Sequence, residues 1–317
     1  MCTAISYYTD SHYFGRNLDL EHCYQECVTI VPRNFPIAGV NHHYGMIGIS
    51  TVADGYPLFY DGTNEAGLSA AGLNFPGYAK YRSETKGKHN IPSFDVIPSI
   101  LANCKTVDEV KGYFHNVNIT DKAFSEAYPP TPLHWIVADK NSSLVIEATD
   151  EGVSVLDNPI AVLTNSPPLP YQLTNLTNFM SLTRNEPCCC FAEDLKLTPY
   201  SRGQGAFGLP GDYSSASRFV RAAFVLHNSP KVSGTEKSIT QFFQILSAVA
   251  VPDGCMRIGN KFQKTIYSSC CNTETGVYYY TTYGNRQITA VDMHSIDLCG
   301  NSLNTFPVRN KQQIFWE

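Results

Sequence analysis

No apolar run in this sequence approaches the roughly 20 residues that a membrane-spanning helix needs. Its start, Met1-Cys2-Thr3-Ala4-Ile5-Ser6-Tyr7-Tyr8, has neither a long apolar stretch nor any Lys or Arg before Arg16, so it does not read as a secretory signal. These two absences predict a cytoplasmic protein. A surplus of positive charge is missing as well. The 23 Lys and Arg stand against 28 Asp and Glu, a net charge of −5, which lacks the footprint of a nucleic-acid binder and predicts a small-molecule partner. Charged residues make up only 16% and hydrophobic ones 43%, a globular composition that excludes disorder.

Cysteine is not scarce: there are 11. What is lacking is an arrangement that would use them structurally. Their number is odd and no export signal precedes them, so reduced thiols are expected in place of a disulfide framework. Cys188-Cys189-Cys190 and Cys270-Cys271 are contiguous, without the CxxC spacing of a structural zinc site. Cys23 and Cys27, with His22, His42 and His43 nearby, leave a metal site open. The alternative is that these are small, mostly apolar thiols.

Strict βαβα alternation, internal repeats and linker-like breaks are absent too. Runs rich in β-branched and aromatic residues predict strands over 3–8, 12–19, 27–32, 46–51 and 57–61. Residues 67–74 form a further strand of small residues, which implies close approach to its backbone by something else. Helical spacing follows at Phe94, Ile97, Ile100, Leu101 and Cys104, then over 106–114. Strands return over 133–138 and 143–149 as a hairpin, and briefly over 161–164. Residues 184–213 read as a long loop. Two helices come next. One carries Ala216, Phe219, Val220, Ala223, Phe224 and His227 on one face; the other carries Ile239, Phe242, Phe243, Leu246, Val249 and Ala250, with Thr235 as a candidate cap. The chain ends in strands over 264–269, 276–283 and 286–293, the last two joined around Gly284-Asn285. Blocks of strands and helices in this order suit an α+β domain spanning 2–317, with sheets packed face to face and helices outside.

Cys2 is the first candidate for chemistry. Initiator Met is readily removed before a small residue, and its loss leaves a thiol and an α-amine on one residue. That amine has an ordinary pKa of about 8, so a neutral fraction exists near pH 7 and a base sits beside the nucleophile. A Cys at position 2 also occurs by chance. If 3–8 and 12–19 pair as a hairpin, Arg16 and Asp19 return to the chain start. There a carboxylate can orient the amine and a guanidinium can favour thiolate. Being three apart, they face opposite sides of a regular strand, so a bulge or the strand end must intervene for both to serve one site. The alternative is a solvated Arg–Asp pair. Arg218 lies at the start of a helix, where a cation opposes the dipole. Arg221, one turn later, reads as a surface residue. Asn74 and Asn165 each end a strand before turn residues, where a carboxamide or backbone N–H can hold an oxyanion, or simply make a turn.

Beyond these individual residues, an ordered set of motifs resembles the choloylglycine hydrolase family, the bile salt hydrolases and penicillin V acylases among the N-terminal nucleophile hydrolases. The matching stretches are Met1-Cys2-Thr3, Phe14-Gly15-Arg16-Asn17-Leu18-Asp19, Ala71-Gly72-Leu73-Asn74-Phe75-Pro76, Leu133-His134-Trp135, Leu163-Thr164-Asn165-Ser166-Pro167, Gly208-Leu209-Pro210-Gly211-Asp212, Ser217-Arg218-Phe219-Val220-Arg221 and the tyrosine-rich 278–283. The resemblance implies a four-layer αββα sandwich of two antiparallel sheets and amide hydrolysis without metal or organic cofactor. It assigns Cys2 as nucleophile and base, Arg16 and Asp19 as its supports, and Arg218 as an electrostatic support. Asn165 by side chain and Asn74 by backbone N–H form the oxyanion hole. Asn in place of Tyr at position 74 leans toward conjugated bile salts over penicillin V. Only Met1 precedes Cys2, so no propeptide needs excision. The resemblance also implies a homotetramer. Aromatic-rich segments after Asp19 and Asp54 (Tyr56, Phe59, Tyr60) and near Tyr128 are expected to line the steroid pocket. The competing reading is a non-enzymatic thiol or metal-binding protein.

Overall fold

In a computed structural model describing residues 1–317, the chain opens with β1 (Cys2–Tyr8), β2 (His12–Leu20), β3 (Cys27–Val31), β4 (Met46–Ala53), β5 (Tyr56–Phe59), β6 (Asp61–Asn64), β7 (Ser69–Asn74) and β8 (His89–Pro92). Helices α1 (Val96–Asn103) and α2 (Val107–Phe114) lead to β9 (Val117–Thr120), β10 (Leu133–Ala138), β11 (Ser143–Thr149), β12 (Gly152–Asp157) and β13 (Val162–Leu163). Then come α3 (Leu169–Leu176), α4 (Ser215–Asn228) and α5 (Thr235–Ser247), and finally β14 (Met256–Ile258), β15 (Lys261–Asn272), β16 (Val277–Thr282), β17 (Asn285–Asp292) and β18 (Asn304–Pro307).

These strands make two large antiparallel sheets. One runs β13-β1-β2-β15-β16-β17 with β14 folded onto β15; the other runs β12-β11-β10-β7-β6-β4-β3-β18 with β5 folded onto β4. β8 and β9 form a small parallel pair. The sheets face each other where β1 and β2 lie over β7. Helices α4 and α5 cover the outer face of the first sheet, and α1 covers β6 and β7 of the second. The result is the expected αββα sandwich.

Strands covered on both sides lose the alternation of half-exposed ones. β1 and β2 are buried almost throughout, whereas the edge strand β17 alternates. The larger apolar core fills the space between the sheets and under α4 and α5; a second core lies beneath α1 and α2. Phe219 of α4 and Phe242 of α5 are fully buried, and each contributes about 1.5–3 kcal/mol relative to exposure. The face of α4 is rotated slightly from expectation: Leu226 is buried and His227 is exposed.

Gly15 explains how β2 and β15 pair so closely. A Cβ there would sit 2.0 Å from the carbonyl oxygen of Ser269. The expected close approach in β7 is real as well, since a Cβ on Gly72 would meet the Trp135 indole at 3.2 Å.

Several elements were not anticipated. β6 is Asp-Gly-Thr-Asn, a turn composition held extended by β4 and β7 on either side. α3 begins directly after Pro167-Pro168, with Pro170 in its first turn. At α5 the cap is Gly234, with no side-chain bond, and Thr235 is the first helical residue. Asp10 anchors that cap residue, accepting the Gly234 N–H at 2.8 Å.

Candidate active site

β1 and β2 pair in a register that sets Ala4 opposite Arg16 and Cys2 opposite Leu18. Alternation then puts Cys2 and Arg16 on one face. On the other side of β2, β15 sets Tyr267 against Leu18 and Thr265 against Asp19, so Ile266 is the extra residue of a β-bulge. This irregularity lies on the partner strand, opposite Asp19 and one residue from the end of β2. Arg16 and Asp19 are both fully buried, so the solvated-pair alternative fails.

Around Cys2, itself 2% exposed, the polar groups converge. The Cys2 N–H donates to Asn165 Oδ1 at 2.9 Å. Arg218 donates to the Cys2 carbonyl, to Thr3 Oγ1 at 2.7 Å and to Asn165 Oδ1 at 2.7 Å. Its Nε reaches the Tyr213 carbonyl at 3.0 Å. Arg218 reaches Cys2 because α4 starts at Ser215, capped by the Ser214 side chain, and aims this residue at β1. Met1 lies beside Asp19: its N-terminus donates to the Asp19 carbonyl, and its own carbonyl accepts the Asp19 N–H at 2.8 Å.

Arg16 donates to the carbonyls of Tyr60, at 2.9 Å, and Gly72. Burial works against its charge, but Cys2, Tyr267, Asp61 and Asp19 outweigh that and hold its pKa above the usual guanidinium value. Burial lowers the Arg218 pKa, offset in part by Asp19 and Cys2. Asp19 accepts from Thr265 Oγ1 at 2.7 Å through Oδ1. Two buried atoms here have no partner, Asp19 Oδ2 and Arg16 Nη2. A buried unpaired polar atom costs about 1–3 kcal/mol, so each of these two asks for a chemical role.

Asn165 links the two sheets. Its Nδ2 donates to the Asn74 carbonyl at 2.7 Å, and its backbone N–H to Ser215 Oγ at 2.8 Å. Asn74 ends β7, opposite Leu133.

A cavity of about 630 Å³ opens over Cys2, Arg16 and Asn74. Asp19, Asn165 and Arg218 stand behind its wall. Its apolar lining includes Leu20, Tyr60, Phe59, Phe94, Phe124 and Tyr128. Phe59, Tyr60 and Tyr128 were expected there. Tyr56 was too, but it turns away, donating its hydroxyl to Asp95 and accepting the Ala38 N–H at 3.1 Å.

Two features escaped the sequence. Asp61 is buried under the site and accepts hydrogen bonds from Tyr267, at 2.9 Å, and from Tyr278. Burial pushes its carboxyl up, and Arg16 with the two phenols pulls it back. The tyrosine-rich stretch at 278–283 was the one signal pointing here. Arg221, read as a surface residue, is buried; it donates to the carbonyls of Ala248, at 2.7 Å, and Pro210, at 2.6 Å, clamping α4 to the end of α5. The remaining cysteines are all free, and no group of three or more His, Cys, Asp or Glu side chains is placed to hold a metal. His43 lies between the carbonyls of Tyr44 and Phe35, and His42 pairs with Asn34, so neither joins Cys23 and Cys27. No helix is long and apolar enough to cross a membrane.

A family model described as linear amide C–N hydrolases, choloylglycine hydrolase family, matches residues 2–306. The chain is 46% identical to the bile salt hydrolase/transferase of Lactiplantibacillus plantarum over 99% of both chains. It is 40% identical to that of Clostridium perfringens over 96% of both. A crystal structure of a variant of the conjugated bile acid hydrolase from Clostridium perfringens superposes with a TM-score of 0.91 at 39% identity, covering 99% of both chains. A structure of penicillin V acylase from Agrobacterium tumefaciens shares the fold, with a TM-score of 0.75 at 21% identity over 96% of this chain and 91% of that one. With its sandwich, its buried Cys2 and a match running nearly end to end, the chain belongs to the choloylglycine hydrolase family of linear amide C–N hydrolases.

Proposed function

We propose that this protein hydrolyses the amide bond of glycine- or taurine-conjugated bile salts, with Cys2 as nucleophile once Met1 is removed. The observation that carries the reading is the placement of Cys2 at the floor of an apolar cavity, ringed by buried Arg16, Asp19, Asn165 and Arg218. Relatives named for bile salt and bile acid hydrolysis supply the substrate class.

Loss of Met1 frees the Cys2 amine beside Asn165 Oδ1, and to the buried, unpartnered Asp19 Oδ2 we assign the role of orienting it. Arg16, with its free Nη2, favours the thiolate. The amine holds the proton that the thiol gives up. Sγ attacks the carbonyl carbon between the steroid acyl group and the amino acid. The oxyanion takes the free Nδ2 hydrogen of Asn165 and the backbone N–H of Asn74. The amine then passes its proton to the leaving nitrogen, the C–N bond breaks, and a thioester remains. Water, deprotonated by the same amine, attacks the thioester, and the thiol is restored. No step calls for a metal or organic cofactor. Arg218 acts through Cys2 and Asn165, which it holds from behind.

We further read residues 2–317 as one catalytic domain, cytoplasmic, assembled as a homotetramer. The large exposed side chains of Phe191, Tyr200 and Phe207 on the 184–213 loop support burial of that loop by another copy. Steady-state rates on glycocholate, taurocholate and penicillin V test the substrate class. Glycocholate or taurocholate should exceed penicillin V by at least about tenfold in kcat/KM, a difference of about 1.4 kcal/mol in transition-state binding. Preference for penicillin V would overturn the assignment and leave an acylase.

A further inference from the structure

Behind the two asparagines lies a buried acid–base pair that the reaction does not use. His134, on β10, is fully buried, and Glu147, on β11, is 3% exposed. The ring places Nδ1 3.3 Å from Glu147 Oε1 and Nε2 3.1 Å from the Thr164 carbonyl. Both ring nitrogens thus face oxygen, one of a carboxyl group and one of a backbone carbonyl. The same Glu147 Oε1 accepts the backbone N–H of Leu169 at 3.0 Å. The ring also lies flat on Phe75, with centroids 4.2 Å apart and planes 8° apart.

Each of these partners adjoins an asparagine of the site. Thr164 precedes Asn165, Leu169 follows the turn that Asn165 begins, and Phe75 follows Asn74. The pair thus grips the chain on both sides of Asn165 and next to Asn74, across the seam between the sheets. We infer that His134 and Glu147 are positioning residues, which set the Asn165 carboxamide and the Asn74 backbone N–H at the separation an oxyanion requires. A buried polar pair of this kind seldom stabilises a fold more than apolar side chains of the same shape. Placement is what this one supplies, since displacing a donor by about 1 Å can cost about 100-fold in rate.

The inference rests on the proposed roles of Asn165 and Asn74, and the test separates the two. Variants His134→Phe, which keeps the stack on Phe75, His134→Gln, which keeps one donor, and Asn165→Ala are compared, with Met1 loss checked by intact mass. The readouts are kcat, KM and the rate of Cys2 alkylation by iodoacetamide. His134→Phe should lower kcat by about 10- to 100-fold, with KM and alkylation within about twofold of the parent, and His134→Gln should recover part of the loss. Should His134→Phe not fold, Glu147→Gln carries the same test, with a smaller fall in kcat alone. A folded variant with unchanged kcat, or with KM and alkylation falling in step with kcat, overturns the positioning role. Full kcat in Asn165→Ala overturns instead the reading on which it rests.

Discussion

Cys2 and the Cys270-Cys271 pair are buried cysteines in the same sheet, two strands apart, yet their surroundings differ in charge. Cys270 and Cys271 sit in apolar packing on β15. Burial pushes the Cys270 thiol well up and the Cys271 thiol to about 12. They fill space and stay protonated. Cys2 is as deeply buried, but two guanidinium groups, one from β2 and one from α4, face it. Burial alone turns a thiol off. Fixed positive charge beside a buried thiol favours the thiolate, the form that the proposed role of Cys2 requires. His12, on β2, repeats the lesson for a base. It is buried between Ser6 Oγ at 2.8 Å and Thr273 Oγ1 at 3.0 Å, and burial drives its pKa down to about 4, opposed by the charge of Asp139.

The largest expected effect comes from removing the charge that separates the two kinds of cysteine. Arg16→Leu should make Cys2 resemble Cys270: kcat/KM should fall by about 1000-fold, of order 4 kcal/mol of transition-state stabilisation. Iodoacetamide labelling of Cys2, followed by peptide mass, should fall toward the level of Cys270 and Cys271, which label only on unfolding. Undiminished labelling of Cys2 would break the contrast.

A smaller effect sharpens the same comparison at His12. Its folded pKa lies below the ordinary value of 6.5, so the unfolded chain binds the extra proton. The stability it contributes is therefore present above pH 6.5 and is lost as pH falls toward 4, by about 3 kcal/mol in full. Urea unfolding at pH 7.5 and pH 4.5 should show that loss in the parent protein and a shallower one in His12→Gln. Equal pH dependence in the two would remove His12 from the account.

Much of this architecture was legible because its causes are local. The β1–β2 hairpin follows from two β-rich runs around Thr9-Asp10-Ser11, and its register alone brings Arg16 back toward Cys2. Arg218 was legible as a cation misplaced at a helix start. What stayed hidden depends on contacts far apart in the chain. Asp61 looked like a strand end, and only Tyr267 and Tyr278, some 200 residues on, make it a buried acceptor under Arg16. Arg221 looked like solvent-facing charge because nothing local announces carbonyls from residues 210 and 248. His134 and Glu147 are thirteen residues apart on neighbouring strands, and nothing in their spacing indicates that Thr164 and Leu169 meet them. The Arg16–Asp19 spacing required a bulge or the strand end, and the bulge at Ile266 could not be located from it, since it lies on a partner strand from the far end of the chain.

The central claim is that mature Cys2 carries the acyl group. Enzyme turning over glycocholate, quenched in acid and analysed by intact mass and peptide mapping, tests it most directly. The account predicts one cholyl thioester, on a peptide that begins at Cys2 with Met1 gone. An acyl group on any other residue, or turnover by protein that retains Met1, would contradict it.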